Sequence, residues 1–183
     1  MPRFAALILA VAAFVPGAAP AATCPSSLDF ELRPLTEPEP VRLCDVHRDQ
    51  VLLVVNTASK CGFVGQFEGL ERLDAEFQDR GFRVIGFPSG DFLNQEYADE
   101  EQIADFCRSN YGVQFPMYEK VNASRRNAAP GTLYYYLGNA AGEFPRWNFH
   151  KYLIGRDGEV LASFGTRVRP EDPSIRAAIE AAL

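Results

Sequence analysis

Chemistry in this chain begins with its four cysteines, Cys24, Cys44, Cys61 and Cys107. Cys61 stands apart from the others. It follows an apolar run over 51–55 and a polar loop, Asn56-Thr57-Ala58-Ser59-Lys60, and a helical pattern starts near Gln66. That order places a thiol at the carboxyl end of a buried strand and near the start of a helix. Ligands gather at such strand ends in open α/β sheets. The partial positive charge of a helix N-terminus favours thiolate over thiol. Cys61 is therefore a candidate nucleophile. Lys60 beside it has two readings, a group that lowers the thiol pKa or a solvated surface lysine. No C-x-x-C occurs, so neither a zinc knuckle nor the usual thiol–disulfide exchange motif is present. His47 and His150 are isolated from one another in sequence and read as structural or solvated. No metal and no cofactor are expected.

A nucleophile at a strand end needs a sheet to hold it. The five apolar residues of 51–55 read as a fully buried strand. Phe67, Leu70, Leu73 and Phe77 then fall at helical spacing, and Gly81 ends that helix. A second strand is expected over 82–87, stopped by Pro88, with a polar loop over 89–95. A second helix over 100–107 carries acids in its first turn and is closed by Gly112. Residues 115–121 read as a loop with a short edge strand, and 130–137 as a helix with proline in its first turn. Asp157-Gly158 between apolar runs over 149–154 and 160–164 is a hairpin signal. Residues 173–183 read as a last helix. Upstream, 28–35 and 40–43 are extended pieces around Thr36-Glu37-Pro38-Glu39, a hairpin tip. The order ββ, βαβα, ββα is an α/β arrangement of the thioredoxin-like fold: an N-terminal β-hairpin, then a central mixed sheet flanked by helices.

Composition sets the frame. At 183 residues the chain is long enough for one domain with a real core. A net charge of −6 argues against nucleic acid or an anionic membrane as the main partner. Residues 1–21 read as a signal peptide: Arg3, an apolar run too short to span a bilayer comfortably, and the A-x-A site Ala19-Pro20-Ala21. Residues 22–183 form the single remaining domain. A membrane anchor is the competing reading of the leader, opposed by the lack of a longer stop-transfer run. The residues ahead of Cys24 do not suit lipidation, so an exported, periplasmic or secreted protein without stable membrane association is expected. Loss of Arg3 leaves 17 basic residues against 24 acids, a net charge of −7.

All four cysteines survive such cleavage, and an even count in an oxidising space invites pairing. Cys24 precedes the first hairpin arm and Cys44 follows the second. Hairpin arms return to their starting point, which brings these two near bonding distance. The other reading is two buried free thiols.

Three motifs then carry a resemblance. Asn56-Thr57-Ala58-Ser59-Lys60-Cys61-Gly62-Phe63 resembles the active-site stretch of the glutathione peroxidase family. Gly86-Phe87-Pro88 with Phe92 and Gln95-Glu96 is similar to its second motif, and Trp147-Asn148-Phe149 with Lys151-Tyr152-Leu153-Ile154 to its third. The resemblance runs from about Phe30 to Leu183 and implies a thioredoxin-like fold that reduces hydrogen peroxide and organic hydroperoxides. It implies a catalytic tetrad of Cys61, Gln95, Trp147 and Asn148, with Cys61 as the peroxidatic residue. The chemistry agrees, because indole and amide N–H groups can stabilise a thiolate without pairing it tightly. The product is a sulfenic acid. Taken singly, each partner has a plainer reading: a core tryptophan, a solvated glutamine, a turn asparagine. The sequence departs from the family at Ser89-Gly90-Asp91-Phe92, where a cysteine and then Asn-Gln-Phe are usual. It also lacks the long insertion of the tetrameric members, so a monomer is expected.

Cys107, in Asp105-Phe106-Cys107-Arg108-Ser109-Asn110-Tyr111-Gly112, resembles the resolving cysteine of members that draw on thioredoxin. This implies a Cys61–Cys107 disulfide, recycled by a thioredoxin-like protein, and local unwinding of the second helix. The other reading is a buried structural Cys107, with glutathione or a similar thiol clearing the sulfenate. Two further functions compete with the peroxidase: a periplasmic thiol–disulfide oxidoreductase, which the missing C-x-x-C opposes, and a redox sensor without efficient turnover, for which the changed loop leaves room.

Overall fold

The computed structural model describes residues 24–183. The leader expected over 1–21 lies outside them. Strand β3 (Val51–Thr57) is the axis of the molecule, with all seven residues buried. It pairs in parallel with β4 (Phe82–Pro88) from Val51↔Phe82 to Thr57↔Pro88. On its other side it pairs antiparallel with β5 (Lys151–Ile154), which in turn pairs with β6 (Val160–Phe164), giving the order β4-β3-β5-β6. Burial on both sides explains why the run reads as continuously apolar rather than alternating.

The period of two sorts these side chains into two cores. Val51, Leu53 and Val55 pack with Phe67, Leu70, Leu73 and Phe77 of α2 (Gln66–Phe77) and Ile175 and Ile179 of α5 (Pro173–Ala182). Ile103 and Cys107 of α3 (Glu100–Tyr111) join this layer, as do Cys61 and Leu153. Leu52 and Val54 face the other way, against Leu133, Tyr134 and Leu137 of α4 (Leu133–Ala140) and Leu43 and Cys44 of α1 (Leu43–Val46). Cys61 and Cys107 thus lie in one layer, while Cys24 and Cys44 lie in the opposite one.

The N-terminal hairpin forms, with arms of two residues, β1 (Glu31–Leu32) and β2 (Val41–Arg42). Cys24 and Cys44 close it as a disulfide with Cα atoms 5.8 Å apart. Several expected bounds move. Asn56 and Thr57 belong to β3, because its ladder with β4 continues to Pro88. Pro88 is tolerated there because β4 is an edge strand. The edge strand expected over 115–121 is absent: Pro34↔Tyr118 and Gly86↔Met117 are isolated bridges. That segment divides its bonds between β4 and residues 33–35, and Pro116 has no N–H to give either. The helix expected over 130–137 starts at Leu133, since Gly131 holds φ +85° ahead of Thr132 at the N-cap. α3 runs one turn past Cys107 before Gly112, at φ +62°, ends it. β5 begins at Lys151 rather than 149, because Phe149 sits in the left-handed region at φ +62°.

Candidate active site

Cys61 leaves β3 through a run of tight turns. Its N–H reaches the Ala58 carbonyl (3.4 Å), Val64 N–H reaches the Cys61 carbonyl (3.0 Å), and α2 follows at Gln66. The thiol is buried and unbonded to any other sulfur. The hydrogen bond that reaches its Sγ comes from the backbone N–H of Phe63, at 3.4 Å. That donor is a product of turn geometry, which no side-chain motif announces.

The loop over 89–95 closes on the same turn. Lys60 N–H donates to the Gln95 carbonyl (2.8 Å). The Glu96 carboxylate accepts from Ser59 N–H (3.1 Å) and Tyr97 N–H (2.8 Å) through one oxygen, while the other is buried without a partner. Burial raises the Glu96 pKa against the pull of those N–H groups and Lys120, which suits a carboxyl only partly stabilised as an anion. Lys60 is exposed and its ammonium lies 4.0 Å from the centre of the Tyr97 ring. The departure at Ser89-Gly90-Asp91 has a structural use. Asp91 accepts from Ala123 N–H (2.8 Å), Ser124 N–H (2.7 Å) and the Asn127 amide (2.7 Å), pinning the loop to a distant segment.

Trp147 and Asn148 arrive on the segment before β5, and Asn56 receives them. Its side-chain amide donates to the Trp147 carbonyl (3.2 Å), its side-chain oxygen accepts from His150 N–H (3.1 Å), and its backbone carbonyl accepts from Phe149 N–H (2.6 Å). The Asn148 side chain is fully buried, and its amide donates to the Gln95 side-chain oxygen at 3.1 Å. Its own oxygen has no partner. Trp147 packs on Phe92, with ring centres 5.8 Å apart, and joins the core layer that contains Cys61. Gln95 and Asn148 are therefore in direct contact, Trp147 is the neighbour of one of them, and the backbone of Gln95 holds the turn that carries Cys61. Asn56 and Glu96 stand inside the quoted motifs, but their clamping roles depend on contacts across 91 and 37 residues of sequence.

Cys107 is buried in α3, and burial, reinforced by the Glu96 carboxylate, pushes its thiol up to about 12. As folded it is a poor nucleophile at neutral pH. A Cys107 that attacks anything must first leave this environment.

Residues 28–138 match the family model for glutathione peroxidase. A glutathione peroxidase homolog BsaA from Halalkalibacterium halodurans is 47% identical over 128 residues, 68% of this chain and 80% of that protein. A hydroperoxy fatty acid reductase Gpx2 from Synechocystis is 43% identical over 139 residues, 76% of this chain and 88% of its own. The apo crystal structure of Trgpx superposes with a TM-score of 0.65 at 32% identity, covering 87% of this chain and 96% of that one.

Proposed function

The chain belongs to the glutathione peroxidase family, and from that premise we propose a mechanism for its thiol peroxidase activity in which Cys61 is the peroxidatic residue. The Cys61 thiolate attacks one oxygen of the hydroperoxide. The O–O bond breaks, sulfur is oxidised to the sulfenic acid, and the other oxygen leaves as water or alcohol after taking up a proton. Gln95, Trp147 and Asn148 act as neutral donors at the sulfur and the leaving oxygen. The observation that carries this reading is the Asn148–Gln95 hydrogen bond beside the Cys61 turn. It commits the Gln95 oxygen, so the part of that side chain left to donate is its NH₂ group.

Cys107 resolves the sulfenate. Its thiolate attacks the Cys61 sulfur, hydroxide leaves as water, and a Cys61–Cys107 disulfide forms. The buried, weakly acidic thiol supports a step gated by opening of α3. A thioredoxin-like protein or glutathione then supplies two electrons. The match to a hydroperoxy fatty acid reductase supports organic hydroperoxides among the substrates. Export, by way of the 1–21 leader, is supported by the Cys24–Cys44 disulfide, which suits an oxidising compartment. The Asp91 anchor keeps the altered loop in place, which favours turnover over a sensor that has lost it.

Stopped-flow oxidation tests the proposal. The reduced protein should lose one thiol rapidly and stoichiometrically on mixing with peroxide, and Cys61→Ser should consume none. Peroxide consumption by Cys61→Ser at the normal rate would remove Cys61 from the mechanism.

A further inference from the structure

Lys151 is fully buried on β5, on the side of the sheet that carries Cys61, α2 and α5. A lysine placed there is costly unless every proton is satisfied. All three are. Its Nζ donates to Gln66 Oε1 (2.6 Å), the Phe149 carbonyl (2.7 Å) and the Val168 carbonyl (2.8 Å). Gln66 passes the connection on, donating from Nε2 to the Thr166 carbonyl at 2.7 Å. Among the described residues no carboxylate forms an ion pair with Lys151; Glu171 favours its charge only from a distance. Burial pushes its pKa down to about 7, while three carbonyl-type acceptors favour the ammonium.

Stability alone does not explain this residue. An apolar side chain of similar length fills such a site without burying a charge. What the ammonium does is join three separate segments at one atom. Gln66 is the first residue of α2, immediately after the Cys61 turn. Phe149 directly follows Trp147 and Asn148 and holds an unfavourable φ of +62°. Val168 belongs to the chain after β6. The Phe149 backbone is gripped from both ends, by Asn56 at its N–H and by Lys151 at its carbonyl. Its ring packs edge-on against Phe67 of α2, centres 5.2 Å apart.

We propose that Lys151 is a positioning residue for peroxide reduction: through its bonds to Gln66 and Phe149 it fixes the Trp147–Asn148 turn relative to the Cys61 turn. It touches no reacting atom. It acts by holding Phe149 in the left-handed conformation and by tying that residue to the start of α2. Loss of the ammonium leaves two buried acceptors and a part-buried one without their donor and frees Phe149 to relax toward the extended region, carrying Asn148 and Trp147 with it.

This rests on the reading of Cys61 as the peroxidatic sulfur, and the test separates the two. Trp147 is the chain's one tryptophan, so fluorescence reports on it alone. Lys151→Met, folded at the assay temperature by circular dichroism, should oxidise at Cys61 about tenfold or more slowly in single-turnover stopped flow. The reduced variant should also show a shifted Trp147 emission and readier quenching by acrylamide. A folded Lys151→Met protein that oxidises within about twofold of wild type overturns the proposal, even if it has lost stability. If Lys151→Met does not fold, Gln66→Leu decides. It removes one limb of the clamp and leaves the two carbonyls, so a slower oxidation with altered Trp147 quenching supports the proposal and an unchanged rate overturns it. If the wild-type protein itself fails to oxidise at Cys61, the peroxidatic reading falls, and the Trp147 emission of the variants still decides whether Lys151 sets that turn.

Discussion

The Asn148 side-chain amide donates to the Gln95 side-chain oxygen at 3.1 Å, joining two loops that are 53 residues apart in sequence. One loop follows β4 and the other precedes β5, and β3 lies between those strands. The bond therefore spans the carboxyl end of the strand that delivers Cys61.

Because the two amides share a bond, their contributions to catalysis should not add. Gln95→Ala and Asn148→Ala should each slow Cys61 oxidation, by about tenfold to a hundredfold for a lost transition-state donor. The double variant should be faster than the product of the two single effects allows. Stopped-flow rate constants for the four proteins measure this. Strictly multiplicative losses would mean that the two side chains act independently.

Resolution should depend on the last turn of α3. Cys107→Ser should accept one equivalent of peroxide and stall as the sulfenic acid, which dimedone labelling and mass spectrometry detect. Gly112 holds φ +62° at the end of that helix, with open space where a Cβ would stand. Gly112→Ala therefore strains only the backbone, weakening the turn by about 1–2 kcal/mol. It should hasten Cys61–Cys107 disulfide formation after a normal first oxidation. Slower disulfide formation in that variant would show that opening of α3 does not limit the step.

The Cys24–Cys44 disulfide lies in the core layer opposite Cys61. The Cys24→Ala/Cys44→Ala variant should lose about 3 kcal/mol of stability in denaturant titration, the chain-entropy figure for a loop of this class. Its rate of oxidation by peroxide should match wild type. A lowered rate in a fully folded variant would tie the hairpin to the site.

His150 makes stability fall in acid. With the Ser163 proton given to Glu143 (3.0 Å), the His150 ring donates to Ser163 Oγ through Nε2 (2.9 Å). Burial lowers its pKa to about 4. Between an unfolded value near 6.5 and this one, the unfolded chain binds one more proton than the folded protein. The stability from this group is thus complete above about pH 6.5 and is lost as pH falls toward about 4, about 3 kcal/mol in all. Asp74 and Glu96, both raised by burial, work in the opposite direction. The difference between wild type and His150→Gln isolates the histidine: the gap should shrink on acidification across this range. A constant gap would place the titration elsewhere.

The sequence by itself determined the thioredoxin-like order of elements, the strand that carries Cys61, the family and the pairing partners Cys24 and Cys44. Those features are local or periodic: apolar runs, helical spacing, turn residues and motifs readable in a few consecutive positions. The tertiary structure alone decided what holds the site. Phe63 N–H on the sulfur, Asn56 under Trp147, Glu96 under Ser59, Asp91 on the 123–127 segment and Lys151 between Gln66 and Phe149 are all hydrogen bonds whose existence depends on backbone direction. The same holds for the bounds that moved. Phe149 carries a side chain fit for a strand, yet β5 starts only at Lys151 because bonds from Asn56 and Lys151 outweigh that local preference. Composition and spacing name the groups that can do chemistry. Only packing across the sheet fixes which atoms they face.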